Sequence, residues 1–157
     1  MRIGKSTDIH RLEKEHNLII GGINIPSDLG TIAHSDGDCL LHTVAESLIG
    51  ALALGDLGKL FPDNDIKYKG IPSSLLVEKV MDIVSNKGYT VLNIDSMVFL
   101  EQPKLRPYID KIRENIANLL RIDINQVSVK ATTGEKIGIV GKREAIVCES
   151  IVLIQKK

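Results

Sequence analysis

Apolar residues along this chain follow two alternating spacings, which predict strands interleaved with helices. Residues 2–10 predict a strand. The run 18–25 predicts a short hairpin, because the pair Gly21-Gly22 suits the positive φ of a two-residue turn. Over 38–54, apolar residues recur every three or four positions, which predicts a helix that a glycine-containing turn breaks.

The second half of the chain continues the same pattern. A helix is predicted over 74–87 and a strand over 89–100. A third helix is predicted to begin near Pro107, since proline suits a first helical turn, and to continue to Leu120. A strand is then predicted over 127–131.

The last apolar run, 146–154, predicts a strand that is buried on both of its faces. No internal repeat, low-complexity tract or linker interrupts the pattern, so one domain is the default for a chain of this length. Because strands and helices are interleaved, we predict a single α/β (α+β) domain over residues 1–157. Its mixed sheet is expected to carry helices on one or both faces.

Composition and charge exclude several classes of function. Lys plus Arg and Asp plus Glu number 20 each, which disfavours non-specific binding of nucleic acid by a basic surface. Three Tyr, two Phe and no Trp argue against stacking of bases on aromatic side chains. No apolar run approaches the roughly 18 residues of a membrane helix, and the N-terminus lacks an apolar leader. We therefore expect a cytoplasmic protein with no nucleic-acid and no membrane partner.

The two cysteines, Cys39 and Cys148, are too few for a secreted disulfide framework. The acidic neighbours of Cys39 disfavour the thiolate that a nucleophile needs. We interpret both cysteines as small core residues.

One carboxylate and two imidazoles form the first candidate site. Asp8 and His10 lie two residues apart on the predicted strand, so their side chains point to the same face. With His42 they make a set that suits Zn²⁺ and leaves a fourth position open, as catalytic zinc sites do. The alternative is a polar strand end and an unrelated helical histidine. His16 is interpreted as part of an exposed polar loop.

The segment from His34 to His42 places further acidic residues just before and inside an apolar helix. Asp38, His42 and Glu46 are spaced by four residues and therefore share one helical face. One interpretation is that the two carboxylates orient a metal-bound imidazole. The other is that Asp36 or Asp38 is only a helix cap.

Three further segments have polar residues suited to a phosphorylated ligand. The hydroxyls, glycine, carboxylate and lysine of 132–136 suit a diphosphate with its Mg²⁺, although a polar turn is commoner. The acidic turns of 55–65 suit sugar hydroxyls or are ordinary loop chemistry. Two prolines stiffen 101–107, which suits the reading of a base by fixed backbone groups.

Six short strings together resemble one enzyme family. They are D-I-H at 8–10, A-H-S-D-G-D at 33–38, L-H at 41–42, G-D-L-G-K-L-F-P-D at 55–63, P-K at 103–104 and A-T-T-G-E-K at 131–136. In this order they resemble the 2-C-methyl-D-erythritol 2,4-cyclodiphosphate synthases, and the resemblance runs from Arg2 to about Ile154.

The resemblance implies an α/β sandwich with a ferredoxin-like layout and a homotrimer. Each active site would lie between adjacent subunits and take its zinc and nucleotide halves from different chains. The implied reaction, that of a phosphorus–oxygen lyase, cyclises 4-diphosphocytidyl-2-C-methyl-D-erythritol 2-phosphate and releases CMP in the non-mevalonate route to isoprenoid precursors. The substrate's own 2-phosphate is the nucleophile, so no catalytic serine or cysteine is required. Metal ions and positioning loops supply charge neutralisation and proximity.

The resemblance also implies the metal ligands. Asp8, His10 and His42 would bind one Zn²⁺ per subunit. Glu135 would help to hold a Mg²⁺ or Mn²⁺ ion that bridges the phosphates.

The same resemblance implies the residues that contact the substrate, with His34 and Thr133 stabilising the transition state. The phosphate and methylerythritol part would contact Asp8, His10, His34, Ser35, Asp56, Leu57, Gly58, Phe61, Pro62, Asp63, Asn64 and Asp65. The cytidine diphosphate part would contact Leu100, Glu101, Gln102, Pro103, Lys104, Leu105, Arg106, Thr132, Thr133, Gly134 and Glu135. Ile139 and Lys142 would line a central trimer cavity that accepts isoprenoid diphosphates.

Four positions depart from the family pattern. Ser6 replaces a common glycine, and Gly134 replaces a larger and often polar residue. Ile139 stands where an aromatic residue is common. Lys142 stands where arginine is common, so the charge is kept but the bidentate fork is lost.

Two other functions remain as alternatives. A zinc phosphohydrolase would use the same residues but would incorporate water into its product. A non-catalytic binding module would use zinc as a structural clip and would need four protein ligands, and the sequence offers no convincing fourth.

Overall fold

The computed structural model describes residues 1–33, 35–62 and 70–157, and all statements below concern these residues. The strands are β1 (Arg2–Glu13), β2 (Leu18–Ile20), β3 (Ile23–Ile25), β4 (Gly30–Thr31), β5 (Tyr89–Phe99), β6 (Val127–Thr132) and β7 (Ala145–Lys156). The helices are α1 (Cys39–Ala51), α2 (Leu57–Leu60), α3 (Ser73–Asn86), α4 (Ile109–Leu120) and α5 (Gly138–Gly141), with 3₁₀ turns at Arg106–Tyr108 and Ile124–Gln126.

The main sheet has the strand order β4-β1-β7-β5-β6, and β2 pairs with β3 in a separate hairpin. The β5–β6 pair is parallel, and the other pairs of the main sheet are antiparallel. Helix α1 packs on β1 and β7, α3 on β5, and α4 on β6. The predicted mixed-sheet α/β sandwich is therefore confirmed, with the long helices on one face of the sheet.

The prediction that the last strand is buried on both faces is wrong for the single chain. Along β7, Ile146, Cys148 and Val152 are buried under the helices, whereas Ile151 on the other face is 43% exposed. The apolar run reflects two apolar faces, but only one of them has a helix layer above it.

Most predicted elements are confirmed, with shifted ends. The Gly21-Gly22 turn has φ values of 60° and 78°, as its hairpin role requires. The helix predicted over 38–54 ends at Ala51, and the turn after it contains the unpredicted one-turn helix α2. Pro107 lies in a 3₁₀ turn that leads directly into α4.

Helix α1 lies unusually close to β1, and this contact positions the site. A Cβ atom added to Gly4 would come within 1.9 Å of the Ser47 carbonyl oxygen, so only glycine allows this approach. A buried row of hydroxyls also joins the layers. Thr43 of α1 lies 2.8 Å from the Ser150 hydroxyl of β7, which lies 2.9 Å from the Ser96 hydroxyl of β5.

Asp38 is the N-cap of α1 and is fully buried. Its carboxylate accepts backbone N–H groups from Gly21 (3.0 Å), Gly22 (2.6 Å) and Leu41 (2.9 Å). Burial raises the pKa of Asp38 to about 6, although these three donors favour its charged form. One side chain thus starts the helix and fixes the β2–β3 hairpin against it.

Both cysteines are free and buried, which confirms their interpretation as small core residues. Burial raises the pKa of the Cys148 thiol well above its ordinary value. Within the described residues, no helix has the length and apolar character to cross a membrane.

Replacing Asp38 by alanine is expected to lower the free energy of unfolding by about 3 kcal/mol, because three N–H groups lose their acceptor. Urea denaturation measures this change. The control is Glu78→Ala, which removes an exposed carboxylate of α3, and it is expected to change stability by less than about 0.5 kcal/mol. Equal losses in the two variants would contradict the cap.

Candidate active site

The three predicted metal ligands come together where α1 crosses β1. Asp8 and His10 point from the helix-facing side of β1, and His42 projects from the first turn of α1. One ligand atom from each residue lies within 4.8 Å of the others. The close approach of the helix at Gly4 therefore brings the third ligand to the other two.

The distances in this triad fit a small divalent cation. Asp8 Oδ2 lies 3.0 Å from His10 Nε2 and 3.3 Å from His42 Nδ1. Ligand atoms around a tetrahedral zinc lie about 3.3 Å apart at metal–ligand distances of about 2.0–2.1 Å. The donor set and its spacing thus suit Zn²⁺ with one position left for another ligand.

Each imidazole is oriented by a contact at its other nitrogen. His10 Nδ1 lies 3.0 Å from the Gly37 carbonyl oxygen and can donate to it. His42 Nε2 lies 3.1 Å from the Ser35 hydroxyl, which also accepts the Gly37 N–H. These contacts direct one nitrogen of each ring toward Asp8, as outer contacts of metal-bound histidines usually do.

Asp8 and His10 stabilise each other's charged forms. Burial alone would raise the pKa of Asp8, but hydrogen bonds from His10 and His42 hold it well below its ordinary value. Burial alone would lower the pKa of His10, but its hydrogen bond to Asp8 and nearby charge raise it to about 9. A cation that binds here must displace the His10 proton.

A second concave region lies at the ends of β5 and β6. This cavity of about 420 Å³ has the size of a small-ligand site. It is lined by Leu100, Glu101, Pro103, Lys104, Leu105, Arg106, Ile109, Val129, Lys130, Ala131, Thr132 and Thr133. Most of the residues predicted to hold a cytidine diphosphate therefore surround one cavity.

The turn after β6 has an unusual backbone. Glu135 and Lys136 are consecutive residues with positive φ, 52° and 61°, a conformation that costs energy outside glycine. The Glu135 carboxylate accepts the Thr133 hydroxyl at 2.7 Å. The Glu101 carboxylate accepts the Gly134 N–H at 2.9 Å, which joins the two loops around the cavity.

The triad and the cavity are separated within one chain. Pairing places Asp8 opposite Cys148, Cys148 opposite Val98, and Val98 opposite Ala131. Three strand spacings of about 4.8 Å each put roughly 14 Å between the metal ligands and the cavity strand.

With this geometry in place, comparison with known proteins decides the family. The model of the YgbB family matches residues 1–155. The chain belongs to the YgbB family.

One curated relative is similar to this chain over its whole length, and two solved structures are similar to it in fold. The 2-C-methyl-D-erythritol 2,4-cyclodiphosphate synthase of Chloroherpeton thalassium is 51% identical over 156 residues, which are 99% of each chain. The IspF of Plasmodium falciparum in its CDP complex is 34% identical, with a TM-score of 0.87 over 99% of this chain and 96% of its own. The bifunctional IspDF of Campylobacter jejuni is 36% identical with a TM-score of 0.94, and this chain spans 42% of its length.

The remaining predicted residues of this YgbB-family chain divide into four groups. Asp56 caps α2 by accepting the Lys59 N–H at 2.9 Å, Leu57 and Gly58 lie in that helix, and Phe61 and Pro62 follow it. Gln102 precedes Pro103 in a cis peptide bond. Ile139 is in α5 and Lys142 directly follows it, before β7. His34, Asp63, Asn64 and Asp65 lie outside the described residues.

The interpretation that Asp38 and Glu46 orient His42 is wrong. Asp38 is the cap of α1, and Glu46 accepts the Ser6 hydroxyl. Sharing a helical face with His42 did not determine the partners of these side chains, because the elements that pack opposite the helix supply nearer donors. The alternative that Asp38 is a cap is confirmed.

Two contacts of the site were not predicted from the sequence. The Gly37 carbonyl that orients His10 is a backbone group, which leaves no side-chain signal. Asp36 accepts the Ser73 N–H at 3.0 Å and so caps α3, whose own N-cap, Pro72, has no side-chain acceptor. Nothing in the sequence links Asp36 to the start of α3, because the two lie far apart along the chain. This cap could therefore not be predicted.

The apparent affinity for Zn²⁺ is expected to rise from pH 7 to pH 8 by up to about tenfold, because the His10 proton must leave. The folded pKa of His10 is raised to about 9, so the metal-free site is protonated throughout this window. Isothermal titration at both pH values in buffers of different ionisation enthalpy measures the affinity and the proton released.

Two histidine variants make this test specific. His42→Ala is expected to abolish tight Zn²⁺ binding, whereas His16→Ala, in an exposed loop, is expected to retain it. Equal affinities at pH 7 and pH 8, or unchanged binding in His42→Ala, would contradict the assigned site.

Proposed function

We propose that this chain cyclises 4-diphosphocytidyl-2-C-methyl-D-erythritol 2-phosphate to 2-C-methyl-D-erythritol 2,4-cyclodiphosphate and releases CMP, in the non-mevalonate isoprenoid pathway. The observation that carries this function is the full-length similarity to the synthase of Chloroherpeton thalassium. The metal triad matches the reaction's need for charge neutralisation on the phosphates, and the cavity matches its need for a substrate held in a fixed position. The phosphohydrolase alternative has no support among these relatives.

Asp8, His10 and His42 would hold the zinc, and the carboxylate–imidazole chemistry and spacing of the triad support this assignment. A bound Zn²⁺ supplies Lewis-acid withdrawal of charge from phosphate oxygens and fixes the substrate's orientation. The triad offers three protein ligands among the described residues, and three protein ligands with one position for substrate is the pattern of catalytic zinc sites.

The cavity at the ends of β5 and β6 would hold the cytidine diphosphate. Arg106 and Lys104 offer positive charge, and the 100–106 loop offers backbone groups to a base. The solved relative with bound CDP supports a nucleotide ligand of this class. Thr132, Thr133, Gly134 and Glu135 would face the phosphates, with Glu135 helping to hold Mg²⁺ or Mn²⁺.

The residues of this chain then perform positioning and charge stabilisation. Ser35, Asp56 and the residues of α2 would fold the methylerythritol phosphate back toward the β-phosphorus. An oxygen of the 2-phosphate forms a bond to the β-phosphorus. At the same time the bond between the β-phosphorus and the oxygen that bridges it to the α-phosphate breaks, and CMP leaves with the electron pair of that bond. His34 and the Thr133 hydroxyl would stabilise the developing charge, and no covalent enzyme intermediate is needed.

A homotrimer explains two features of the single chain. The triad and the cavity lie on strands roughly 14 Å apart by strand spacing, and this separation supports a site in which one chain's triad faces phosphates held by another chain's cavity. The helix-free face of the sheet exposes Ile3 (68%), Ile9 (53%) and Ile151 (43%), and burial of such a patch favours association. Copies that meet through this face would cover it and could bring one chain's triad to the next chain's cavity.

Ile139 and Lys142 would line a central cavity for an isoprenoid diphosphate in that trimer.

We further propose that residues 1–157 act as one catalytic domain and that the reaction takes place in the cytoplasm. The two free, buried cysteines support a reducing compartment.

Turnover in water labelled with ¹⁸O distinguishes cyclisation from hydrolysis. The protein with Zn²⁺, Mg²⁺ and the proposed substrate is expected to yield CMP and a cyclic diphosphate, both without ¹⁸O, by mass spectrometry. His42→Ala is expected to lower kcat/KM by at least about a hundredfold. Labelled linear phosphates would contradict the proposed reaction, and so would full activity of His42→Ala.

A further inference from the structure

A second link between β1 and α1 lies one step along from the metal triad. Ser6 precedes Asp8 by two residues on the same face of β1, and Glu46 follows His42 by one turn of α1. Ser6 is a buried residue with 8% exposure, and its hydroxyl donates to Glu46 Oε2 at 2.8 Å. The two elements that carry the triad are therefore also joined by a side-chain hydrogen bond.

The other oxygen of Glu46 extends this link to a third element. The Leu57 N–H donates to Glu46 Oε1 in a long hydrogen bond of 3.5 Å. Leu57 is the first residue of α2, and its neighbour Asp56 caps that helix. The residues Asp56, Leu57 and Gly58 are those proposed above to hold the methylerythritol phosphate.

The charge of Glu46 is not neutralised by an ion pair among the described residues. A half-buried carboxylate held by two neutral donors is oriented by them, because one donor engages each of its two oxygens and rotation of the side chain would break both hydrogen bonds. The hydroxyl of Ser6 fixes one oxygen. The second oxygen is then aimed at the start of α2.

We propose that Glu46 is a positioning residue, which Ser6 orients and which holds the 56–58 substrate segment at a fixed place relative to the metal triad. The expected change in KM rests on the proposed function, whereas the expected contact between Glu46 and the start of α2 does not. Glu46 itself need not touch the substrate.

Kinetics of two Glu46 variants test the proposal. Glu46→Ala is expected to raise KM about tenfold while kcat changes by less than about threefold, because the substrate segment loses its anchor. Glu46→Gln can still accept from Leu57 and donate to Ser6, so its KM is expected to stay within about threefold of wild type. An unchanged KM in Glu46→Ala, or a loss confined to kcat, overturns the proposal.

Coupling with Ser6 separates positioning from general destabilisation. Ser6→Ala alone is expected to raise KM about threefold, and it is expected to add nothing in the Glu46→Ala background. Independent, additive effects overturn the proposal. If circular dichroism shows that Glu46→Ala does not fold, Ser6→Ala and Glu46→Gln decide by the same criteria.

Hydrogen exchange supplies a readout that does not depend on catalysis. In wild type and in Glu78→Ala, a variant of an exposed carboxylate of α3, the Leu57 amide is expected to exchange at the same rate. In Glu46→Ala that rate is expected to rise about tenfold with the loss of its acceptor. An unchanged rate overturns the proposal. A wild-type protein that forms no cyclic product contradicts the proposed function while this exchange test still stands.

Discussion

The packing of α1 directly onto β1 is the contact on which the candidate site depends. It needs a glycine at position 4, because any side chain there would collide with the Ser47 carbonyl of the helix. Asp38 fixes where the helix starts by accepting three backbone N–H groups. Because the distance between α1 and β1 and the first residue of α1 are both fixed, the His42 side chain lies beside Asp8 and His10.

The electrostatics of the triad follow from that placement. Desolvation alone would disfavour both the Asp8 carboxylate and a His10 imidazolium, yet their mutual contact outweighs it and favours both charges. Backbone and hydroxyl groups hold the outer nitrogens of the rings. A site arranged in this way can bind a cation when His10 releases its proton. A bound cation neutralises negative charge, which a reaction between two phosphate groups requires.

The sequence predicted the elements well because their periodicity is local. It predicted that Asp8 and His10 share one face as candidate metal ligands from their alternation on one strand, whereas the inclusion of His42 came from its motif and from the family resemblance. The errors concern long-range packing. The two apolar faces of β7 did not reveal that only one is covered in a single chain, and the spacing of Asp38 and Glu46 from His42 did not reveal the Gly21, Gly22 and Ser6 donors opposite them.

The most direct test of this account asks whether one chain's triad works with another chain's cavity. His42→Ala lacks a working triad, and Thr133→Ala impairs the cavity side, so each alone is expected to be nearly inactive. After unfolding and joint refolding in equal amounts, a trimer with sites between chains has one intact site in every mixed assembly, which gives about a quarter of wild-type activity. No recovery of activity in refolded, mixed trimers would show that each chain's triad serves its own cavity, and would contradict the account.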